Sequence, residues 1–269
     1  MLRDITIGQY YQTKSVIHEL DPRVKIVATL AFIIFLFMVN NLTGYAIAAA
    51  YLATIIYMSH VPPSFIFRGM KAIFMLLMIT ILFNLFLTPG ETLASFWIFN
   101  ITKEGLILAG KMAVRLTFLI TGSSVLTLTT TPNQLTDGLE VLLNPLKKLK
   151  VPVHEIAMMM AIALRFIPIL MEETDKIMKA QMARGADFET GGMIKKAKSL
   201  VPILVPLFIS AFRRANDLAM AMEARCYHGG EGRTRMKPLI YKRKDFVAYL
   251  ILVAFMVTMI VCGRSEYLI

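Results

Sequence analysis

The sequence predicts an all-α fold, that of a polytopic membrane protein with five transmembrane helices and a cytoplasmic module of one short and two long helices. Three observations predict it. First, the chain is 57% hydrophobic and only 17% charged, with a mean hydropathy of +0.62, whereas soluble domains average about 25% charged residues. Second, five apolar runs approach the roughly 20 residues that cross a bilayer. Third, apolar residues recur at helical spacing through residues 131–245.

The five apolar runs define the predicted spans. The first two runs are joined only by Asn40-Asn41-Leu42-Thr43, a polar turn that predicts a helical hairpin. Several runs are short, so they must borrow flanking residues or pack against other helices. The predicted spans are Val24–Val39, Gly44–Ser59, Lys71–Thr88, Gly105–Thr127 and Phe246–Cys262.

Basic residues predict the orientation of these spans. Of the 29 lysines and arginines, 19 lie between Thr131 and Asp245, whereas the segments on the opposite side hold only Lys103 and Arg264. By the positive-inside rule, the N-terminus is cytoplasmic and the C-terminus extracellular. Membrane topology therefore explains the net charge of +11, and we expect no nucleic-acid partner. The expected parts are a four-span bundle (1–131), a cytoplasmic module (132–244) and a C-terminal transmembrane helix (245–269).

Three helices are predicted in the cytoplasmic module. The short one begins at Pro132 and ends at Lys147-Lys148, because cations favour a helix C-terminus. The second begins at Pro152, a residue suited to a first turn, and is closed by Gly185 after about 32 residues. The third is predicted over Met193–Tyr227.

The first halves of the two long helices are rich in methionine and other apolar residues, yet we predict that both helices are too polar to cross a membrane outright. Methionine is unbranched and polarizable, so methionine-rich surfaces repack against partners of different shape. We interpret Met158, Met159 and Met160 together as a candidate partner-facing surface. The alternative for each methionine alone is that it fills a gap in a helical bundle.

One small motif occurs at the ends of both long helices. Ala180–Gly185 and Ala221–Cys226 share the pattern A-x-x-A-R followed by a small residue, 41 positions apart. The alanines let that helix face approach another surface, and the guanidinium fork suits a carboxylate. Because the whole pattern repeats, we interpret both ends as partner-binding sites rather than as arginines that only complement a helix dipole. The candidate residues are Ala183, Arg184, Gly185, Ala224, Arg225 and Cys226.

Patterns typical of catalysis or metal binding are weak. Gly105-x4-Gly110-Lys111 matches most of a phosphate-binding loop, but Met112 replaces the required Ser or Thr and the stretch is typical of an apolar helix. The four histidines are scattered and only two cysteines occur, so we predict no catalytic residue, no metal site, no cofactor and no disulfide. If ATP is used, another chain binds it.

Charged residues inside apolar segments are interpreted as structural. Lys111 and Arg115 share one face of the fourth span, and Arg115 is predicted to cap carbonyl groups of a neighbouring helix near Asn84. The acidic run Glu172-Glu173-x-Asp175 is predicted to brace the second long helix against the third. Its partners would be Arg213, Arg214 or Lys198.

Several further motifs complete a resemblance to the EcfT family, the transmembrane coupling (T) components of energy-coupling factor transporters. They are Leu20-Asp21-Pro22-Arg23-x-Lys25, Leu164–Pro168 and Gly229-Gly230, together with the two arginine motifs. The resemblance implies a complex with two ABC-type ATPase subunits, which bind ATP, and an exchangeable substrate-binding S component for vitamins or transition-metal ions. It also implies that the arginine tips seat in grooves of the two ATPases. Our own hypothesis is that the apolar, methionine-rich faces of the long helices hold the S component.

One departure and two alternatives remain. Cys226 stands where the family has glycine, and we expect the third helix to accommodate it by continuing through Cys226 to Gly229. A conventional permease would need polar groups converging in mid-membrane to bind its own solute, for which Asn84, Lys111 and Arg115 are available. A membrane-embedded enzyme would need paired acids or a metal cluster near the bilayer.

Overall fold

The computed structural model describes residues 10–96, 99–186, 188, 192–230, 232, 236 and 238–265. The other residues lie outside the described ranges. The described chain is largely helical, which confirms the predicted fold class. A 3₁₀ helix follows the sixth helix at Asn144–Leu149. The α-helices are α1 Val16–Glu19, α2 Pro22–Met38, α3 Leu42–Ser59, α4 Pro63–Leu87, α5 Lys103–Thr129, α6 Pro132–Leu143, α7 Val153–Ala183, α8 Met193–Glu223 and α9 Arg243–Ser265.

A short β-hairpin between α4 and α5 was not predicted. Strands β1 (Thr92–Phe96) and β2 (Phe99–Thr102) pair antiparallel, with Phe96 opposite Phe99. The segment contains the β-branched and aromatic residues that favour strands, and this was the available signal. Thr102 at the end of β2 also caps α5, since its hydroxyl accepts a hydrogen bond from the Gly105 backbone N–H at 3.1 Å.

Four helices of the described chain are long and apolar enough to cross a membrane, namely α3, α5, α7 and α9. The first predicted span, α2, has only 17 residues and is short for a bilayer, whereas α4 has 25 residues and contains the apolar stretch Ile73–Leu87. The prediction that α7 is too polar to cross is wrong by length and composition. Its charges cluster after Met171 and leave an apolar window with a mean hydropathy of 1.7.

The described residues pack into two compact units. One is a helical bundle built from residues 10–141 and from Leu239 onward, and the other consists of Leu142–Pro238. Most of α6 belongs to the bundle, where Gly138 lies against α2: a Cβ atom there would be only 3.0 Å from the Ile26 side chain. The three-part division predicted from membrane topology stays a prediction.

The core of the bundle joins α2, α3 and α9. Tyr51 stacks on Phe255 with 4.2 Å between ring centroids, and both rings pack near Phe32. The α5 helix approaches this core at Gly122, where a Cβ atom would be 3.0 Å from the Phe32 ring. The buried core residues are Phe32, Leu36, Val39, Tyr45, Ala48, Leu52, Leu252, Phe255 and Met259.

A buried polar clamp, formed by Asp21, Arg23 and Asp245, joins the start of α2 to the start of α9. Arg23 donates from Nε and Nη2 to the two oxygens of Asp21, at 2.9 and 2.8 Å. The Asp21 backbone N–H donates to Asp245 Oδ1 at 2.8 Å, and the Lys242 backbone N–H donates to Asp245 Oδ2 at 2.7 Å. The Arg23 guanidinium also lies over the Tyr241 ring, 3.8 Å from its centroid. The clamp therefore holds two separated chain segments together, residues 21–23 and residues 241–245.

The electrostatics of the clamp favour its charged form. Burial alone would raise the pKa of Asp21, but hydrogen bonds from the Arg23 side chain and backbone outweigh burial and lower that pKa below its ordinary value. Lys25, one turn after Asp21, donates from Nζ to the carbonyl oxygens of His18 at 3.1 Å and Thr129 at 2.8 Å. The motif Leu20-Asp21-Pro22-Arg23-x-Lys25 thus joins the N-terminal ends of α2 and α9 to the C-terminal end of α5.

The opposite end of the bundle is held by Arg115 and by the α2–α3 turn. Arg115 is buried and donates from Nη2 to the Val39 carbonyl oxygen at 2.8 Å and to Asn40 Oδ1 at 2.9 Å. The predicted capping role is confirmed, but the location near Asn84 is wrong, because Arg115 caps the end of α2. Asn84 instead donates to the Thr80 carbonyl oxygen of its own helix, at 2.8 Å.

Candidate functional site

The two long helices, α7 and α8, pack against each other in antiparallel order. Glu173 of α7 accepts hydrogen bonds from Arg214 Nη2 at 2.9 Å and from Ser210 Oγ at 2.5 Å. Eight residues later on α7, Gln181 donates to the carbonyl oxygen of Pro202, which lies earlier on α8, at 3.3 Å. The predicted brace between the acidic run and the next helix is confirmed for Glu173 and Arg214.

The bond from Gln181 satisfies a carbonyl group that the sequence leaves without its helical donor. In an α-helix the carbonyl oxygen of Pro202 would accept from the backbone N–H of residue 206, but residue 206 is proline and has no N–H. Gln181 supplies a donor from the neighbouring helix instead. Gln181 belongs to the first arginine motif, so the motif is tied to α8 within one turn of Arg184.

The first motif ends α7 in a Schellman motif, a helix end closed by two backward hydrogen bonds. The Gly185 N–H donates to the Met182 carbonyl oxygen at 2.9 Å, and the Ala186 N–H donates to the Gln181 carbonyl oxygen at 3.0 Å. Gly185 has a φ of +88°, a left-handed conformation that glycine adopts at little cost. The predicted closure of the second helix at Gly185 is confirmed.

The second motif ends α8 with the same two hydrogen bonds, each shifted by 41 positions. The Cys226 N–H donates to the Glu223 carbonyl oxygen at 2.9 Å, and the Tyr227 N–H donates to the Met222 carbonyl oxygen at 3.1 Å. The helix ends at Glu223, so the prediction that it continues through Cys226 is wrong. Cys226 has a φ of +53° and takes the left-handed position that Gly185 takes in the first motif.

Replacing Cys226 with glycine is expected to stabilise the end of α8 by about 0.5–1 kcal/mol. The left-handed conformation costs an L-residue roughly 1–2 kcal/mol, which glycine avoids. The greater freedom of glycine in the unfolded chain offsets part of this stabilisation. Slower amide hydrogen exchange at positions 226 and 227 would report the gain. The matched control is Gly185→Cys, which should speed exchange at positions 185 and 186. Unchanged exchange in both variants would contradict the expectation.

The two arginines are exposed and lie at opposite ends of the helix pair. Each follows by 11 residues one partner of the Glu173–Arg214 ion pair, on its own helix. At about 1.5 Å per residue, the tips are roughly 33 Å apart along the pair. Neither Arg184 nor Arg225 has a hydrogen-bond or ion-pair partner among the residues that the structure describes. Both guanidinium groups are therefore available to a partner.

The small residues around each arginine leave its surroundings open. Ala183 and Ala224 are exposed, and a Cβ atom added at Gly185 would meet no atom within 4 Å. Cys226 is likewise exposed, and its thiol is free. The structure thus brings Ala183, Arg184 and Gly185 together at one tip and Ala224, Arg225 and Cys226 at the other.

The Gly229-Gly230 pair after the second motif has a structural explanation. Gly229 has a φ of +95°, and Gly230 lies so close to the first turn of α7 that a Cβ atom there would be 2.5 Å from the His154 ring. One glycine therefore provides the turn and the other permits close approach. The sequence pattern signalled the pair, but the neighbour at His154 could not be identified from sequence.

The candidate partner-facing methionines lie on the first half of α7. Met159 is 58% exposed, whereas Met158 and Met160 are half-buried. Large apolar residues are also exposed on α8, including Leu204, Phe208 and Phe212. The sequence shows that α8 contains many apolar residues. Helical periodicity does not tell which of its faces another subunit covers.

The stretch that resembles a phosphate-binding loop is helical in the described structure. Gly105-x4-Gly110-Lys111 lies within helix α5, not at a turn from strand to helix, as predicted. Within the described ranges, no group of three or more metal-ligating side chains occurs. Of the polar groups available to a solute-binding permease, Arg115 and Asn84 are committed to helix carbonyl groups.

Similar proteins match nearly the whole chain. A family model described as "CbiQ: Cobalt transport protein" matches residues 13–236, which include both arginine motifs. The chain is 59% identical over 252 residues to the "Energy-coupling factor transporter transmembrane protein EcfT" of Clostridium kluyveri, covering 93% of each chain. Proteins of the same name are 53% identical over 256 residues in Ruminiclostridium cellulolyticum (95% and 96% covered) and 47% identical over 246 residues in Bacillus subtilis (91% and 93% covered).

Proposed function

The chain belongs to the EcfT family, the transmembrane proteins of energy-coupling factor transporters, and on this premise we propose that it transmits movement from two ABC-type ATPase subunits to a substrate-binding S component for vitamin or metal-ion uptake. ATP binding and hydrolysis take place on the ATPase subunits. This chain binds no cofactor of its own and acts as the mechanical link between the other subunits.

The observation that supports this proposal most is the repeated helix end. Two helices of equal length end in the same hydrogen-bonded cap, and each cap presents an exposed arginine without a partner in the described structure. A tip that enters a cleft and meets an acidic residue there gains a charge-assisted hydrogen bond. Because the tips lie roughly 33 Å apart along the pair, each can engage a different ATPase subunit.

The link to the S component is proposed for the apolar surfaces of the long helices. The exposed Met159, with Met158 and Met160 beside it, offers a surface that repacks against carriers of different shape. The ion pair between Glu173 and Arg214 joins α7 to α8, and on α7 it follows the methionines along the helix. Movement of either tip therefore moves both helices, and any carrier bound to them moves too.

The orientation proposed for the chain is that of the positive-inside rule, with both tips and the N-terminus in the cytoplasm and the C-terminus outside. Although α7 is apolar enough to cross a membrane, we propose that it stays on the cytoplasmic side, because basic residues lie at both of its ends, within residues 147–150 and 176–184. The structure supports a consistent direction for three spans. The clamp and Lys25 place the starts of α2 and α9 at the same end as the last residue of α5. At the other end, the Asn41 amide contacts the Cys262 carbonyl oxygen at 3.4 Å.

The decisive experiment is double charge reversal at the tips. Arg184→Glu with Arg225→Glu is expected to abolish co-purification of the ATPase subunits, because each attractive pair becomes a repulsive one. The S component should remain bound, since its surface is unchanged. In sealed vesicles, purified ATPase subunits should bind the wild-type chain only when the cytoplasmic face is outward, which tests the orientation in the same assay.

The matched control reverses two other exposed basic residues on the same helices, Lys179→Glu with Arg213→Glu. This control makes the same change in net charge and should retain the ATPase subunits. If the tip variant keeps its ATPases, or if the control loses them to the same degree, the tips are not the attachment points. Equilibrium binding of solute by the purified chain alone would instead favour a conventional permease.

A further inference from the structure

An apolar cavity lies within the helical bundle, among α1, α2, α3, α5 and α9. Its volume is about 160 Å³, and most of its wall is apolar. An apolar cavity of about 150 Å³ holds a molecule the size of benzene, so this space fits a length of hydrocarbon chain but no folded segment. A smaller cavity of about 50 Å³ continues it deeper into the bundle, and the two share Ala28, Thr29, Tyr51, Ile55 and Val125.

The charged residues of the cavity wall lie at one end of it. Lys25 and Lys244 belong to the first turns of α2 and α9, and Thr129 is the last residue of α5. Ile251, in the same wall, lies seven residues beyond Lys244, about 10 Å farther along α9. The cavity is therefore amphipathic along its length. Its lysines lie near the bundle end that holds the polar clamp, and its wall farther in consists of apolar side chains.

At the charged end, Lys14, Lys242 and Lys244 lie near the carboxylate of Glu19. Lys244 Nζ donates to Glu19 Oε2 at 2.6 Å, and the two side chains are 53% and 54% exposed. This hydrogen bond, with the charges of Lys244, Lys242 and Lys14, lowers the pKa of Glu19. An ion pair this exposed contributes little to stability, so the lysines can bind another anion at small cost.

We propose that this cavity and its lysines form a binding site for an anionic phospholipid. One acyl chain occupies the cavity, and the headgroup phosphate contacts Lys14, Lys242 and Lys244. Lys25 is already bonded to two carbonyl oxygens and forms part of the wall. Basic pockets between transmembrane helices suit anionic headgroups, and the cytoplasmic leaflet supplies them. The site does not involve the arginine tips, and it rests on the proposed function only for the orientation that puts this end of the bundle in the cytoplasm.

The lysine arm of the test uses the purified full-length chain and native mass spectrometry. The chain is titrated with phosphatidylglycerol or with phosphatidylcholine of identical acyl chains. Wild type should bind phosphatidylglycerol more tightly. Lys242→Gln with Lys244→Gln should weaken phosphatidylglycerol binding about 30-fold, since each lysine near an anionic surface contributes about a fivefold factor, and should leave phosphatidylcholine unchanged.

The matched charge control is Lys147→Gln with Lys148→Gln, an exposed pair that lies outside the cavity wall. It should change phosphatidylglycerol binding by less than about twofold. Equal wild-type affinity for the two lipids would overturn the proposal, because headgroup charge would then have no role. An equal loss in the control pair would overturn it too, because net charge rather than this site would explain the binding.

The cavity arm fills the space without changing charge. Ala248 lines the cavity, so Ala248→Phe should weaken binding of both lipids, whereas Ala254→Phe, an exposed position on the same helix outside the wall, should not. Full lipid binding by a folded Ala248→Phe chain would overturn the placement of the acyl chain. If Ala248→Phe does not fold, the lysine arm alone decides the proposal.

Discussion

Replacing Arg23 with alanine is expected to destabilise the helical bundle by about 3–5 kcal/mol. The change leaves the Asp21 carboxylate, 3% exposed, without the guanidinium that neutralises it. The Asp245 carboxylate, which accepts a hydrogen bond from the Asp21 backbone N–H, adds a second negative charge at the junction of α2 and α9. A large drop in the thermal unfolding midpoint of the purified chain would report the loss.

The control for this expectation is Arg165→Ala, which removes an exposed arginine from α7 and should change the unfolding free energy by no more than about 0.5 kcal/mol. Asp245→Asn gives an independent reading. Both oxygens of Asp245 accept backbone N–H groups, and an amide can accept at only one of them, so we expect a loss of about 1–3 kcal/mol. Equal midpoints for the Arg23 and Arg165 variants would show that the clamp does not hold the bundle.

Truncating either arginine tip to alanine is expected to weaken ATPase binding by about 2–5 kcal/mol, or roughly 30-fold to several thousand-fold. The reason is that a buried acidic partner would lose its counter-charge. Since the two sites are tens of ångströms apart and share no neighbours, the losses for Arg184→Ala and Arg225→Ala should add to within about 0.5 kcal/mol. Titration of the solubilised chain with purified ATPase subunits measures the affinity of both single variants and of the double variant.

Two outcomes would contradict this expectation. Losses below about 1 kcal/mol would mean that each arginine only complements its helix dipole. A double variant no weaker than one of the singles would mean that only one tip is engaged. Lys179→Ala, an exposed lysine on α7 five residues before Arg184, is the matched truncation and should bind as wild type does.

Residues that favour helix starts and helix ends made much of this fold predictable from sequence. The helix α7 begins one residue after Pro152 and ends two residues before Gly185, because proline suits a first turn and glycine suits a left-handed cap. The acidic run on α7 and the arginines on α8 predicted the Glu173–Arg214 pair, because oppositely charged residues on adjacent antiparallel helices meet. Hydrophobic runs likewise located the bundle helices to within a few residues, except at the start of α4.

Contacts between distant parts of the chain were not predictable. Asp21 and Asp245 are 224 positions apart, and nothing in either local sequence identifies the other. Arg115 showed a similar limit: a cation inside an apolar helix needs an acceptor, but the pattern does not say which helix end provides it. The role was therefore predicted and the partner was not.

The conformation of Cys226 was missed although a signal was present. Helix propensity alone disfavours a left-handed cysteine, so a continuing helix was the simpler expectation. The full 41-position repeat pointed the other way, because Gly185 and Cys226 occupy the same place in it. Two backward hydrogen bonds outweighed the local strain.

The equal spacing of the two tips from the Glu173–Arg214 pair has a consequence for assembly. Two antiparallel helices whose ends form the same hydrogen bonds are related by a local twofold axis perpendicular to the pair. A dimer of like nucleotide-binding subunits has such an axis of its own. One membrane subunit can thus present equivalent contacts to both subunits of a symmetric dimer. Both of those subunits can then bind a tip with the same kind of cleft.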